Sequence, residues 1–216
     1  MQPQGARRAA SNPPRVPATD DEIREKYLER AIRELNTFGR EASECELCPR
    51  GSFTPVLGSG HPQADVMLLK WAPRPSEVEE GVAFYGRSGS ALQKSLRRLD
   101  IDPLAVYGTL CVKCPVPDPA LADPACVARI AEEVAIVRPR MVVVMGEEAR
   151  RTLNEVGLPL ARELADRPGE IQSLTPSVEG LLTPDIDASL DEEGSKREFW
   201  RTFRVLGDWW ADLPPY

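Results

Sequence analysis

Residues 65–89, DVMLLKWAPRPSEVEEGVAFYGRSG, set the frame for the rest of the chain. Residues 66–69 form a short apolar run that reads as a buried strand. A tight Ala72-Pro73 turn and an acidic loop follow. Phe84-Tyr85-Gly86 then opens a glycine-punctuated passage into a helix over residues 89–99. Open α/β sheets hold ligands where loops leave the carboxyl ends of parallel strands, so this loop is the first candidate for a binding site.

Working outward, residues 105–112 (AVYGTLCV) read as a second strand ending at Lys113-Cys114-Pro115, and residues 115–124 as an irregular proline-rich loop. Residues 124–137 read as a helix. Residues 141–145 (MVVVM) are the clearest strand, and Gly146 turns into a helix over 147–154. This alternation predicts a three-layer α/β/α fold around a central, mostly parallel four-stranded sheet. Residues 171–178 and 180–183 read either as a strand pair or as one strand and a loop. Residues 189–212 read as a closing helix whose Phe199, Trp200, Phe203, Leu206, Trp209 and Trp210 suit core packing better than base stacking. Upstream, Ile23, Tyr27, Leu28, Ile32 and Leu35 make a helical stripe over residues 21–38. Residues 1–20 have no periodicity and read as a disordered leader, leaving residues 21–216 as one domain.

The totals narrow the function. A net charge of −7 over 216 residues argues against broad electrostatic capture of nucleic acid, although a local basic rim (Lys70, Arg74, Arg87, Lys94, Arg97, Arg98) remains available. No apolar run approaches the roughly 20 residues that span a bilayer, and the N-terminal stretch lacks the apolar core of a signal peptide. The chain is expected to be cytoplasmic, monomeric and away from membranes. In such a compartment cysteines stay reduced and hold metal more often than disulfides.

Five cysteines are present. Cys45 and Cys48 have the C-x2-C spacing that presents two thiolates from one turn, Cys114 follows the second strand, and Cys126 lies beyond the proline loop. Converged, they make an all-thiolate site suited to zinc or an iron–sulfur cluster. Cys111 falls inside the predicted strand and is expected to be a buried core thiol.

Taken together, Cys45/Cys48, Ala72-Pro73, Gly81, Phe84, Gly86, Gly89, Lys113-Cys114-Pro115 and Cys126 resemble the family 4 uracil-DNA glycosylases. The family's Gly-Glu-Ala-Pro-Gly through Pro-Phe-x-Gly-x-x-Gly pattern lies over residues 70–89 without a gap, with Ala83 in place of the second proline. The resemblance implies a glycosylase-superfamily fold, a role in DNA repair, a structural [4Fe-4S] cluster on Cys45, Cys48, Cys114 and Cys126, and a base pocket at Ala72, Pro73, Phe84 and Gly86. It also places the catalytic positions, and none holds the family's residue. Trp71 stands for the acid, Leu110 for the base-reading Asn, and Asp185 for the late His. The chain's one histidine, His61, lies ahead of the first strand and reads as a loop residue.

Those replacements are large in consequence. A general acid or base is worth about 10²–10⁴ in rate, and a charge-stabilising donor about 10²–10³. A carboxylate at Asp185 would repel the anionic leaving base, and Trp71 is expected to fill the vacated pocket. The leading reading is therefore a catalytically silent iron–sulfur protein of this fold that binds DNA, single- or double-stranded, or a protein partner. One alternative is an active glycosylase for another lesion, with its carboxylate from Asp185, Asp187 or the acidic run Glu77, Glu79 and Glu80. That run otherwise reads as solvated. The other is a protein-binding scaffold without DNA affinity.

Overall fold

The computed structural model describes residues 19–214, so the predicted leader lies almost wholly outside the described residues. The strands are β1 (Ser59–Gly60), β2 (Val66–Lys70), β3 (Val106–Leu110), β4 (Met141–Met145), β5 (Ile171–Thr175) and β6 (Val178–Thr183). They form one sheet in the order β1-β3-β2-β4-β6-β5. The inner four, β3-β2-β4-β6, are parallel, as the alternation predicts. The sheet is nonetheless mixed and six-stranded, because β1 and β5 each add an antiparallel edge. Neither edge is an apolar run: β1 is two residues of loop-like sequence, and β5 alternates buried and exposed positions before a bulge near Ser173. The pair offered at residues 171–183 is thus a hairpin.

The helices are α1 (Asp20–Glu44), α2 (Pro75–Glu80), α3 (Arg87–Arg98), α4 (Pro124–Val137), α5 (Glu147–Val156), α6 (Ile186–Ser189) and α7 (Glu193–Ala211). Side chains on a strand alternate between faces, and here that rule sorts the layers. Met67 and Leu69 of β2 join Val142 and Val144 of β4 in a core covered by Leu35 of α1, Ile130 of α4 and Leu153 of α5. Val66 and Leu68 join Met141, Val143 and Leu181 in the other core, under Leu92 and Leu96 of α3 and Phe199, Phe203 and Leu206 of α7. Phe199 and Phe203 stack with ring centroids 5.1 Å apart in the core, and Trp200, Trp209 and Trp210 pack half-buried against it.

Three segments depart from the sequence reading. The first helix runs past residue 38 to Glu44, fixed at its start by a capping box between Thr19 and Glu22. The acidic stretch after Pro73 is helix α2 rather than a loop, begun by Pro75 and ended by Gly81 in the left-handed region. The closing helix expected over 189–212 starts only at Glu193 as α7, and the short helix α6 precedes it.

The layer containing α1 and α4 is locked by a buried polar group. Glu133 of α4 is fully buried, and its carboxylate accepts from Lys113 Nζ (2.6 Å), Tyr107 Oη (2.9 Å) and Thr109 Oγ1 (2.9 Å). Lys113 also donates to the Leu110 carbonyl (2.7 Å), and its ammonium lies 5.7 Å from the ring centroid of Phe38 on α1. Burial, reinforced by the Glu133 charge, pushes the Tyr107 phenol well above its ordinary range, so it stays a donor. Removing one partner of a buried ion pair costs far more than removing one neutral donor. Glu133→Ala should lower unfolding free energy by about 3–5 kcal/mol, and Tyr107→Phe by about 1 kcal/mol, in urea titrations. The reverse order would show that this group does not lock the layer.

Candidate functional site

Lys70, Leu110, Met145 and Thr183 end the four parallel strands in register, and the site is built on that rim. By alternation Lys70 shares the face of Val66 and Leu68, so its side chain points beneath the loop that follows. It is 1% exposed. Its Nζ donates to Glu77 Oε2 and to Asp187 Oδ2, both at 2.7 Å. Arg74 Nε lies 3.3 Å from the same Asp187 oxygen, so two cations face two carboxylates.

Glu77 organises this group. It occupies the third position of α2, where a carboxylate can reach back to the residue before the helix. Oε2 accepts the Arg74 N–H at 2.7 Å, and Oε1 accepts the Phe84 N–H at 2.5 Å. One fully buried carboxylate therefore ties the start of the loop to its end and holds the ammonium between them. Phe84 adopts a positive φ of 59°, and its ring lies so close to β3 that a Cβ on Gly108 would come within 2.5 Å of it. Glycine at 108 is what lets the ring lie there. The Lys70 ammonium sits 5.4 Å from the Phe84 ring centroid, a cation–π contact in a dry setting.

The residues singled out from sequence divide between the two faces. Leu110 is fully buried and packs with Val56, Ala83 and Phe84, on the Lys70 side. Trp71 does not fill the space by Phe84. It continues the Met67–Leu69 alternation, so its indole packs against the core under α4 and α5, beside Val127 and Val156. Only its backbone stays at the rim, where its carbonyl accepts the Val112 N–H at 2.8 Å. Asp185 caps α6 through the Ala188 N–H at 2.8 Å, and Gly146 leaves the room it needs: a Cβ there would lie 3.1 Å from that of Asp185. Ala72 and Pro73 form the half-buried turn before α2, and Gly86 starts α3 at a φ of 87°. His61 accepts a loop N–H from Gln63. Of the acidic run, Glu79 and Glu80 are exposed as expected, whereas Glu77 is buried and central. The sequence reading missed it; the signals that could have found it are the alternation that turns Lys70 inward and the position of Glu77 two residues after Pro75, where a helix begins.

A second cluster lies on the same rim. The sulfurs of Cys48, Cys114 and Cys126 are all within 4.8 Å of one another and buried, with Val116 and Ala122 packed around them. Cys48 Sγ accepts the Asp123 N–H at 3.3 Å. A hydrogen bond from Cys114, with others from the backbone at Lys113 and Cys114, draws the Cys126 thiol down to about 5. The hydrogen bond to Cys126 pushes Cys114 upward, and burial does the same to Cys48. This is a sulfur-donor set able to hold a soft metal. Cys45 stands outside the group, just past the end of α1. Its turn is pinned by Arg50, whose guanidinium donates to the carbonyls of Ser43 (2.9 Å) and Cys45 (2.8 Å). Cys111 is a core thiol, as expected, pushed up to about 12 by burial.

Residues 57–202 match the family model described as the uracil DNA glycosylase superfamily. Among curated proteins, the chain is 30% identical over 132 residues to a type-4 uracil-DNA glycosylase of Pyrobaculum aerophilum, covering 58% of this chain and 67% of that one. The type-4 uracil-DNA glycosylase of Sulfurisphaera tokodaii is 28% identical over 124 residues (54% and 56%). That of Saccharolobus solfataricus is 27% identical over 124 residues (53% and 56%). The chain thus spans between about half and two thirds of the length of these relatives.

Because Glu77 takes three donors in full burial and Asp187 keeps 12% side-chain exposure, their loss should not be equal. Urea unfolding of Glu77→Ala should show a loss of about 3–5 kcal/mol, and Asp187→Ala about 1.5–3 kcal/mol. Equal or inverted losses would mean that Glu77 is not the residue holding the loop.

Proposed function

The chain belongs to the uracil DNA glycosylase superfamily, and from that premise we propose that it has kept the fold and a DNA-directed role while losing standard uracil excision. One observation carries the reading: the Lys70 ammonium occupies the space over the Phe84 ring and is held there by two carboxylates. A glycosylase must take a flipped base into a pocket, stack it, and read its Watson–Crick edge. Here the aromatic face is already covered by a charged group that is 1% exposed. Admitting a base would require breaking two buried ion pairs.

The neighbouring positions support the same conclusion. Leu110, at the place the resemblance gives to the reading amide, offers methyl groups in a closed apolar cluster. Trp71, at the place of the acid, points its side chain to the other face of the sheet. Asp185, at the place of the histidine, carries a carboxylate engaged in capping, with the wrong sign to stabilise a departing anion. Glu77, Asp187 and Asp185 are each committed to hydrogen bonds or ion pairs, which weighs against their activating water for another lesion. Uracil-containing single strands and duplexes, incubated with protein in excess and then treated with alkali, should yield no scission above background. Clear abasic product would contradict the proposal. Product from a different damaged base, abolished by Asp187→Asn, would establish an enzyme of altered specificity instead.

For the cysteines the proposal is a [4Fe-4S] cluster held by Cys48, Cys114 and Cys126, with Cys45 from the adjoining turn as fourth ligand. Buried thiols accepting backbone N–H groups suit that group, whose role here is to tie the turn after α1, the segment after β3 and the start of α4 together. Zinc is the alternative for the same donors. Anaerobically purified protein should contain iron and acid-labile sulfide. Cys114→Ser and Cys45→Ser should lose both, and Cys111→Ser should keep them. Zinc without sulfide would exclude the cluster, and full iron retention in Cys45→Ser would remove that residue from the ligand set.

A further inference from the structure

A groove of about 850 Å³ runs between α3 and the α6–α7 segment, beside the closed slot but separate from it. Its two sides differ in chemistry. Ala91, Leu190 and Trp200 are half-buried along its floor, with Ile186 and Phe199 beneath them. Arg87, Lys94, Arg98, Lys196 and Arg197 stand around it, and Glu193 is the one carboxylate in its wall. Arg87 pairs with Asp191 at 2.9 Å, Lys196 approaches Glu193 at 3.5 Å, and Arg98 leans over the Trp200 ring at 5.9 Å. Among the described residues, neither Lys94 nor Arg197 has an acidic partner, and both are exposed.

In a chain of net charge −7, this concentration of positive charge is a local exception. Solvent alone does not call for it. Lys94 and Arg197, left without carboxylate partners beside an apolar trough, are free to pair with a bound polyanion. The apolar floor then selects among polyanions. A nucleic-acid backbone alone would leave the trough unfilled, whereas a peptide with an aromatic or aliphatic side chain beside carboxylates would use both features. Anchors inserted into an apolar groove, with charges at its rim, are a recurrent mode of peptide recognition.

We propose that the groove between α3 and α6–α7 is a docking site for an acidic peptide segment of a partner protein, its apolar side chain seated over Leu190 and Trp200 and its carboxylates paired with Lys94 and Arg197. This goes beyond the glycosylase reading and stands whether or not uracil is excised.

The test pans a displayed library of random short peptides on the full-length protein and measures the enriched sequence by fluorescence anisotropy. Enriched peptides should carry several Asp or Glu residues beside Phe, Trp, Leu or Ile. Their affinity should fall with salt and drop when the apolar residue is changed to Ala. Lys94→Glu/Arg197→Glu should weaken binding by about tenfold or more, since two rim charges are reversed, while leaving the melting temperature within about a degree or two, as expected for exposed sites. Enrichment of basic or uncharged peptides would overturn the proposal, as would absence of enrichment or indifference to the double variant. A single-stranded oligonucleotide that binds in place of the peptide, with the same dependence on Lys94 and Arg197, would assign the groove to nucleic acid instead.

Discussion

A buried ammonium tolerates a dry site only when its charge is matched and its protons are all used. Lys70 meets the charge condition through Glu77 and Asp187, which take two of its three protons, while the ammonium lies against the Phe84 ring, and much of the local architecture follows. Glu77 must be delivered from a helix begun immediately after the strand, so the loop folds as α2. The same carboxylate takes the Phe84 N–H, which fixes the ring in a positive-φ conformation against Gly108. Asp187 must come from the opposite side of the rim, so α6 is drawn in after β6. Remove the lysine and two carboxylates would face each other across an apolar floor. On the proposed reading, the arrangement closes the slot over Phe84.

Much of this was legible in the chain. Residues 66–69 and 141–145 are continuous apolar runs because parallel strands are covered on both faces, β3 falls within the expected 105–112, and residues 124–137 form a helix with its expected bounds. The C-x2-C spacing and the lone Cys114 and Cys126 announced a sulfur cluster, and three of those four sulfurs converge. What could not be read was contributed by tertiary partners. The edge strand β1 exists because β3 offers it hydrogen bonds, not because its own residues favour extension. Glu77 looks like one of three solvated acids until Lys70 is placed beneath it.

Trp71 is the most instructive difference. Read from sequence alone, a large side chain standing where a catalytic acid is expected belongs in the pocket. Strand alternation sends it the other way, and it is the Lys70 ammonium that lies over the Phe84 ring. A two-residue period carried one position past the end of β2 contains that information. The motif register and the direction of a side chain are separate facts, and only the second decides what fills a cavity.

The fold therefore presents two faces to function: a rim where thiols gather and the Lys70 ammonium lies over Phe84, and a flank where cations surround an apolar trough. The account depends most on the first. Lysine side-chain ¹⁵N NMR of the protein at neutral pH tests it directly. The Lys70 ammonium protons should exchange slowly enough to be observed and should show cross-peaks to the Phe84 ring, both lost on Glu77→Gln. A Lys70 resonance averaged with those of the solvent-exposed lysines, without contact to the ring, would mean that the slot is open and the reasoning against base entry fails.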